Sequence, residues 1–311
     1  MGTLNYPAAP LMKIGHEQKL DIGSSKGPTD VLDGIYRAKQ YVKDDDKEFY
    51  RSPRAMPFDQ PWQWASSKGF KNEEIDKVFL GQLAGCNLDC DECYAACDAG
   101  TVDVTPEEYV DAFNRYCKEF GTCSVLRVSG GEPMLFQEWV WGIAEEYQRR
   151  VQDEPILWID TNLTVEPRSY LLRKLTYHRH SAICGCFKPN RQYHDGSVVS
   201  IWDQVSVVRD IMESGTNLFL YWPSWDKEAL DDNTLLNSVL NELHRIDEYL
   251  PLRLTVIRTN KYEASPNMDN ISQDTLNLYY GRRQRALHDY LARHYHPSMI
   301  SMPSHYTLGM N

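Results

Sequence analysis

Between residues 76 and 257 the sequence alternates about six times between a short apolar run and an amphipathic stretch. The runs are Val78-Phe79-Leu80, Ser124–Val128, Ile156–Ile159, Ser181–Cys186, Leu218–Tyr221 and Leu252–Ile257. The stretches between them have helical spacing: about Thr105–Phe120, Gln137–Arg150, Ser169–Thr176, Ile201–Met212 and Asp232–Tyr249. Thr105-Pro106-Glu107-Glu108 is a strong helix start, with Thr as N-cap, Pro at the first helical position and Glu closing a capping box. Strands alternating with helices imply βαβ units and a parallel sheet. Six units fall short of an eight-stranded closure and suit an open, partial (β/α)6 barrel.

The flanks differ from this core. Residues 1–75 show little periodicity and carry the aromatic, proline-rich Pro57-Phe58-Asp59-Gln60-Pro61-Trp62-Gln63-Trp64. They read as an irregular N-terminal extension packed by its aromatic anchors, or as an arm that contacts a substrate or partner. An amphipathic helix at about Gln273–Tyr295 follows the core. The expected division is an extension over 1–75, a core over 76–260 and a helical extension over 261–311.

Directly after the first run comes Gly85-Cys86-Asn87-Leu88-Asp89-Cys90-Asp91-Glu92-Cys93-Tyr94, a C-x3-C-x2-C spacing. In a parallel α/β sheet this loop lies at the carboxyl end of a strand, where such folds place their sites. A loop of this length wraps one cuboidal cluster with three thiolates. Iron–sulfur clusters usually take four cysteines, so three leave one iron open to another ligand. Two other readings use the same residues. In one, Cys97 joins Cys86, Cys90 and Cys93 in a closed four-ligand zinc site, and the chain is a non-enzymatic zinc-binding protein. In the other the cysteines are structural.

The second run ends at Ser129-Gly130-Gly131-Glu132-Pro133. Glycines there let the backbone approach a ligand closely, exposed carbonyls at a strand end accept from an ammonium, and Glu132 adds negative charge or braces the loop. The cysteine motif, with a Gly-Gly-Glu-Pro turn one βα unit later, resembles the radical S-adenosylmethionine (SAM) superfamily over about residues 76–257. The resemblance implies a [4Fe–4S] cluster on Cys86, Cys90 and Cys93 whose open iron binds the amino and carboxylate groups of SAM. It implies a low-potential, flavodoxin- or ferredoxin-like electron donor, cleavage of the C5′–S bond, and a 5′-deoxyadenosyl radical that abstracts hydrogen from a substrate. That substrate is a small molecule, a peptide or a protein. The implied SAM contacts are Gly130, Gly131 and Glu132 for the amino group, with Asp160 or Asn162, at the end of the third run, for the ribose. The family has an aromatic residue just before the third cysteine. Here Glu92 stands there, and Tyr94 is the candidate for the adenine contact. Lys188 either pairs with the SAM carboxylate or is solvated.

Other residues carry weaker signals. Cys184-Gly185-Cys186 places two thiols on one face of a strand and reads as a buried pair. Cys117 and Cys123 read as core. His178, His180 and His194 are lone histidines expected near the substrate face. Tyr221-Trp222 and Trp225 either line a cavity or close the barrel.

The net charge of −11 disfavours a long nucleic-acid footprint. Arg282-Arg283-Gln284-Arg285 spreads three arginines round its helix rather than along one stripe. No apolar run approaches the roughly 18–20 residues of a membrane span, and the N-terminus has no apolar signal region. Met1-Gly2 lacks the Ser or Thr of a myristoylation signal, since Tyr6 stands there. The expected location is the cytoplasm, where the eight cysteines serve as metal ligands or buried thiols.

Overall fold

A computed structural model describes residues 9–12, 36–40, 77–83, 85–91, 93, 101–120, 125–151, 155–178, 180–224, 233–257 and 271–300. Its strands are β1 (Ala9–Met12), β2 (Tyr36–Gln40), β3 (Lys77–Leu83), β4 (Leu88–Asp89), β5 (Thr101–Val104), β6 (Val125–Gly130), β7 (Ile156–Thr161), β8 (Ser181–Cys186), β9 (Gln192–Tyr193), β10 (Leu218–Pro223) and β11 (Leu254–Ile257). Its α-helices are α1 (Pro106–Phe120), α2 (Gln137–Arg150), α3 (Ser169–Tyr177), α4 (Ile201–Glu213), α5 (Thr234–Ile246), α6 (Gln273–His294) and α7 (Pro297–Ile300).

Six strands lie side by side and parallel, in the order β3-β6-β7-β8-β10-β11. Chain order and sheet order coincide, and a helix lies between each consecutive pair. Among the described residues β3 and β11 do not pair, so the sheet stays open, as a partial (β/α)6 barrel does.

The register sorts the side chains into two faces. Phe79, Leu126, Val128, Leu157, Ile159, Ile183, Leu218, Leu220, Trp222, Leu254 and Val256 belong to one continuous buried core with the helices. Removing a side chain the size of Leu or Ile from water contributes roughly 1.5–3 kcal/mol, so this layer supplies most of the stability of the sheet. The opposite face carries Arg127, Trp158, Asp160, Cys184 and Tyr221. There Arg127 Nε and Nη2 donate to Asp160 Oδ2 at 2.9 and 2.6 Å, and Trp158 Nε1 donates to Asp160 Oδ1 at 2.8 Å. Trp158 stacks on Phe219 with ring centroids 5.6 Å apart. Under Phe219, the buried Arg253 guanidinium lies 5.0 Å from the ring centroid and donates to Leu218 O.

The expected α1 start is present in full. Thr105 N donates to Glu108 Oε2 at 2.8 Å, and Glu108 N donates back to Thr105 Oγ1 at 3.2 Å. The sixth strand is shorter than its apolar run, because Leu250–Arg253 forms a 3-10 turn around Pro251 before β11 begins. The extension read as irregular contributes two strands: β2 pairs antiparallel with β3, and β1 pairs antiparallel with both β3 and β5.

Candidate functional site

Two turns meet at the carboxyl ends of β3 and β6. The parallel ladder between these strands runs one step beyond them. Gly131 N donates to Leu83 O at 2.7 Å, and Glu132 N donates to Gly85 O at 2.6 Å. The cysteine loop is thus stitched by its first residues to the Gly-Gly-Glu turn. Both glycines are required by geometry. Gly130 has φ +97°, a region that side chains disfavour. A Cβ on Gly131 would lie 1.9 Å from Gly85 O.

Further along, the loop is gripped from a distant part of the chain. β4, inside the cysteine loop, pairs antiparallel with β9, which lies between β8 and α4. The neighbouring His194 Nε2 makes a 2.9 Å hydrogen bond to Cys86 O. Cys93 N donates to Cys90 O at 3.0 Å, closing the turn between the last two cysteines. Cys86, Cys90 and Cys93 are half-buried and in no disulfide. Burial pushes the Cys86 thiol up, opposed by the Leu88 N–H, and the Glu132 charge adds to the rise.

Glu132 is fully buried, and its carboxylate points into the protein. It accepts from Met134 N at 2.8 Å, Thr161 Oγ1 at 2.8 Å and Asn162 N at 2.6 Å. Burial raises its pKa to about 7 against those three donors. Of the two roles open to it in the sequence, bracing is the one its hydrogen bonds serve.

Asp160 lies on the inner face with both oxygens engaged, by Arg127 and Trp158. Asn162 lies at the rim, 7% exposed. Its Nδ2 donates to Asn87 Oδ1 at 2.9 Å and lies 3.9 Å from Cys86 Sγ. Lys188 N donates to Gln204 Oε1 at 3.0 Å, and Gln204 Nε2 donates to Asn162 O. Tyr94, Glu92, Cys97, Cys123 and Trp225 lie outside the described residues. Cys184 is buried and Cys186 half-buried on the inner face. Tyr221 faces the Cys184 thiol, and burial raises both groups. Trp222 faces the opposite way, into the helix-side core against Phe187. Contrary to the expected place near the substrate face, His178 and His180 are buried near the amino end of β8, opposite the carboxyl end that carries the cysteine loop. Asn87, Thr164 and the β4–β9 pair carry no signal in the sequence, and His194 only the weak one of a lone histidine. The Asn162-Leu163-Thr164 turn has the N-x-T pattern in which an asparagine side chain folds back on its own backbone.

The donor set fits an iron–sulfur cluster. Three thiols sit on one short, half-buried loop that is tied at both ends. Among the described residues no three His, Cys, Asp or Glu side chains converge as for one ion.

Residues 77–200 match a family model described as a 4Fe-4S single cluster domain. No curated protein matches the chain. Among solved structures, the chain is similar to "Native anSMEcpe with bound AdoMet" at 15% identity and a TM-score of 0.47, covering 68% of this chain and 58% of that one. It is similar to Streptococcus suis SuiB bound to precursor peptide SuiA at 14% identity and a TM-score of 0.49, covering 70% and 46%. A radical SAM methyltransferase from Sphaerobacter thermophilus aligns at 15% identity and a TM-score of 0.45, covering 70% and 65%. The chain therefore spans less than two thirds of the length of each. The matched segment holds both the cysteine loop and the Gly130–Glu132 turn.

Proposed function

We propose that the chain is an enzyme in which Cys86, Cys90 and Cys93 hold the cluster and the Gly130–Glu132 turn, with Asn162 and Tyr94 nearby, receives SAM. The observation that carries this reading is the backbone stitch of Gly131 to Leu83 and Glu132 to Gly85, which fixes the turn against the cysteine loop. When bound, the cluster supplies one electron to SAM, whose C5′–S bond breaks to methionine and a carbon radical that takes hydrogen from a substrate.

The residues of the chain have separable tasks here. The three thiols ligate. Gly130 and Gly131 give the turn its shape and closeness. Glu132 keeps the ends of β6 and β7 together without spending its charge on the ligand. Asp160 serves the ribose only through lone pairs left over from Arg127 and Trp158. The substrate is a small molecule, a peptide or a protein segment rather than a long nucleic acid, in keeping with the net charge of −11. The electron comes from a low-potential donor of the flavodoxin or ferredoxin type.

Anaerobic reconstitution tests this directly. The wild-type chain is expected to load iron, show broad absorption near about 400 nm and, once reduced, release methionine and 5′-deoxyadenosine from SAM. Alanine at Cys86, Cys90 or Cys93 is expected to abolish all three signals, and Cys97→Ala to leave them intact. Full iron loading in Cys90→Ala would sink the assignment.

A further inference from the structure

The side-chain amide of Asn162, set beside SAM in the proposed function, makes a second set of contacts on the side of the cysteine loop. Its orientation is set by its own turn. Oδ1 accepts from Thr164 N at 2.9 Å and from Thr164 Oγ1 at 2.6 Å. A backbone N–H only donates, so the amide oxygen must face Thr164 and Nδ2 must face the cysteine loop. There the two amide hydrogens meet two acceptors, Asn87 Oδ1 at 2.9 Å and Cys86 Sγ at 3.9 Å. The backbone N of Leu88 approaches the same sulfur at 3.5 Å.

The scaffold around Asn162 is over-determined. Its N–H donates to Glu132 Oε2 and its carbonyl accepts from Gln204 Nε2. Asn87 Nδ2 closes the ring by donating to Thr164 Oγ1 at 2.7 Å. The next residue, Leu163, is buried at φ +60°, a left-handed conformation that costs a non-glycine residue about 1–3 kcal/mol and tends to occur at functional sites. Five hydrogen bonds from four residues, with a strained neighbour, hold one N–H group toward one sulfur.

We propose that Asn162 is a positioning residue for the cluster, its amide donating to the Cys86 sulfur and raising the reduction potential of the iron–sulfur group held there. The inference rests on Cys86 being a ligand, as the proposed function has it. Reduction adds negative charge that spreads onto the sulfurs. An N–H aimed at a ligand sulfur stabilises the reduced form more than the oxidised form, and hydrogen bonds to the sulfurs are among the levers that set cluster potentials.

The test is an EPR-monitored redox titration of the full-length chain, reconstituted anaerobically and without SAM. Asn162→Asp keeps the shape and replaces the donor with a carboxylate oxygen. It is expected to load the same iron as wild type and to titrate at a more negative midpoint. Asn162→Ser keeps a short hydroxyl for the Thr164 turn but does not reach the sulfur, and a smaller shift in the same direction is expected. If only one variant loads iron, its midpoint is the one read. An unchanged midpoint overturns the proposal. So does iron-free protein from both variants with wild-type far-UV circular dichroism, because the residue then builds the loop and does not tune it. A wild-type chain without cluster absorption, or a fully loaded Cys86→Ala, breaks the proposed function instead.

Discussion

The helix-facing core and the carboxyl rim of the same sheet are held in opposite ways. In the core, Leu126, Leu157, Ile183 and Leu220 are fully buried among other apolar side chains. Their contribution scales with area and depends little on any one contact. At the rim, Glu132, Asn162, Asn87, Gln204 and His194 cross between loops through single hydrogen bonds. Each such bond is worth only about 0.5–1.5 kcal/mol net, yet each fixes a direction. The core supplies stability, and the rim supplies position for the groups that the proposed function brings to a cofactor.

The sharpest way to break this contrast is Gly131→Val. The added carbons have nowhere to go but the Gly85 carbonyl, so the two turns must separate. Complete loss of iron on reconstitution is expected, together with loss of SAM binding, read by iron counting and equilibrium dialysis. A loaded cluster in that variant would show the rim to be as deformable as a core.

Leu157→Ala addresses the other side. A cavity there is expected to cost about 2–5 kcal/mol, measured by denaturant unfolding. Iron per folded molecule should stay at the wild-type value, and a fall would mean that core and rim are coupled.

Glu132 joins the two regions and should report through pH. Its folded pKa of about 7 lies above its ordinary value of 4.5, so the folded chain keeps a proton that the unfolded chain releases. Stability is therefore expected to fall as pH rises from about 4.5 to 7 and to level off above, by up to about 3 kcal/mol. In cluster-free protein, Glu132→Gln keeps one acceptor oxygen, sets its amide N–H groups against a donor, and should flatten that slope. An unchanged slope would show that the three donors keep the carboxylate ionised throughout.

The smallest effect expected is that of His194→Ala. One exposed hydrogen bond to Cys86 O is lost, worth about 1 kcal/mol or less. Global stability should barely move, while iron should leave faster when a chelator is added.

The alternation of strands with helices and the α1 start were readable because they rest on neighbours in sequence. A short apolar run gives way to a helical period, and Thr105 and Glu108 are three residues apart, so each pattern lies within one window. The cysteine spacing and the Gly-Gly-Glu-Pro turn were readable for the same reason. The direction in which Glu132 points was not, because its partners Thr161 and Asn162 lie on the next strand. Nor was the grip of His194 on Cys86, which spans 108 residues. The arginine segment was legible in part. Arg283 turns inward to Asn233, while Arg282, Arg285 and Arg293 line a cavity of about 460 Å³ with Asn233, Asn237 and Asp289. A helical wheel separates these directions but cannot supply the neighbouring helix that makes a cleft of one of them.

The strands β1 and β2 have a consequence for anyone trimming this chain. They occupy the outer side of β3, pairing residues 77–81 with β2 and Leu83 with β1. A fragment cut to the matched segment 77–200 would leave that row of N–H and carbonyl groups bare at one border of its sheet and, with β10 gone, those of β8 bare at the other. Uncovered borders of this kind recruit other chains. Such a fragment is expected to self-associate as it is concentrated, so an apparent failure to bind iron in it would measure aggregation rather than chemistry.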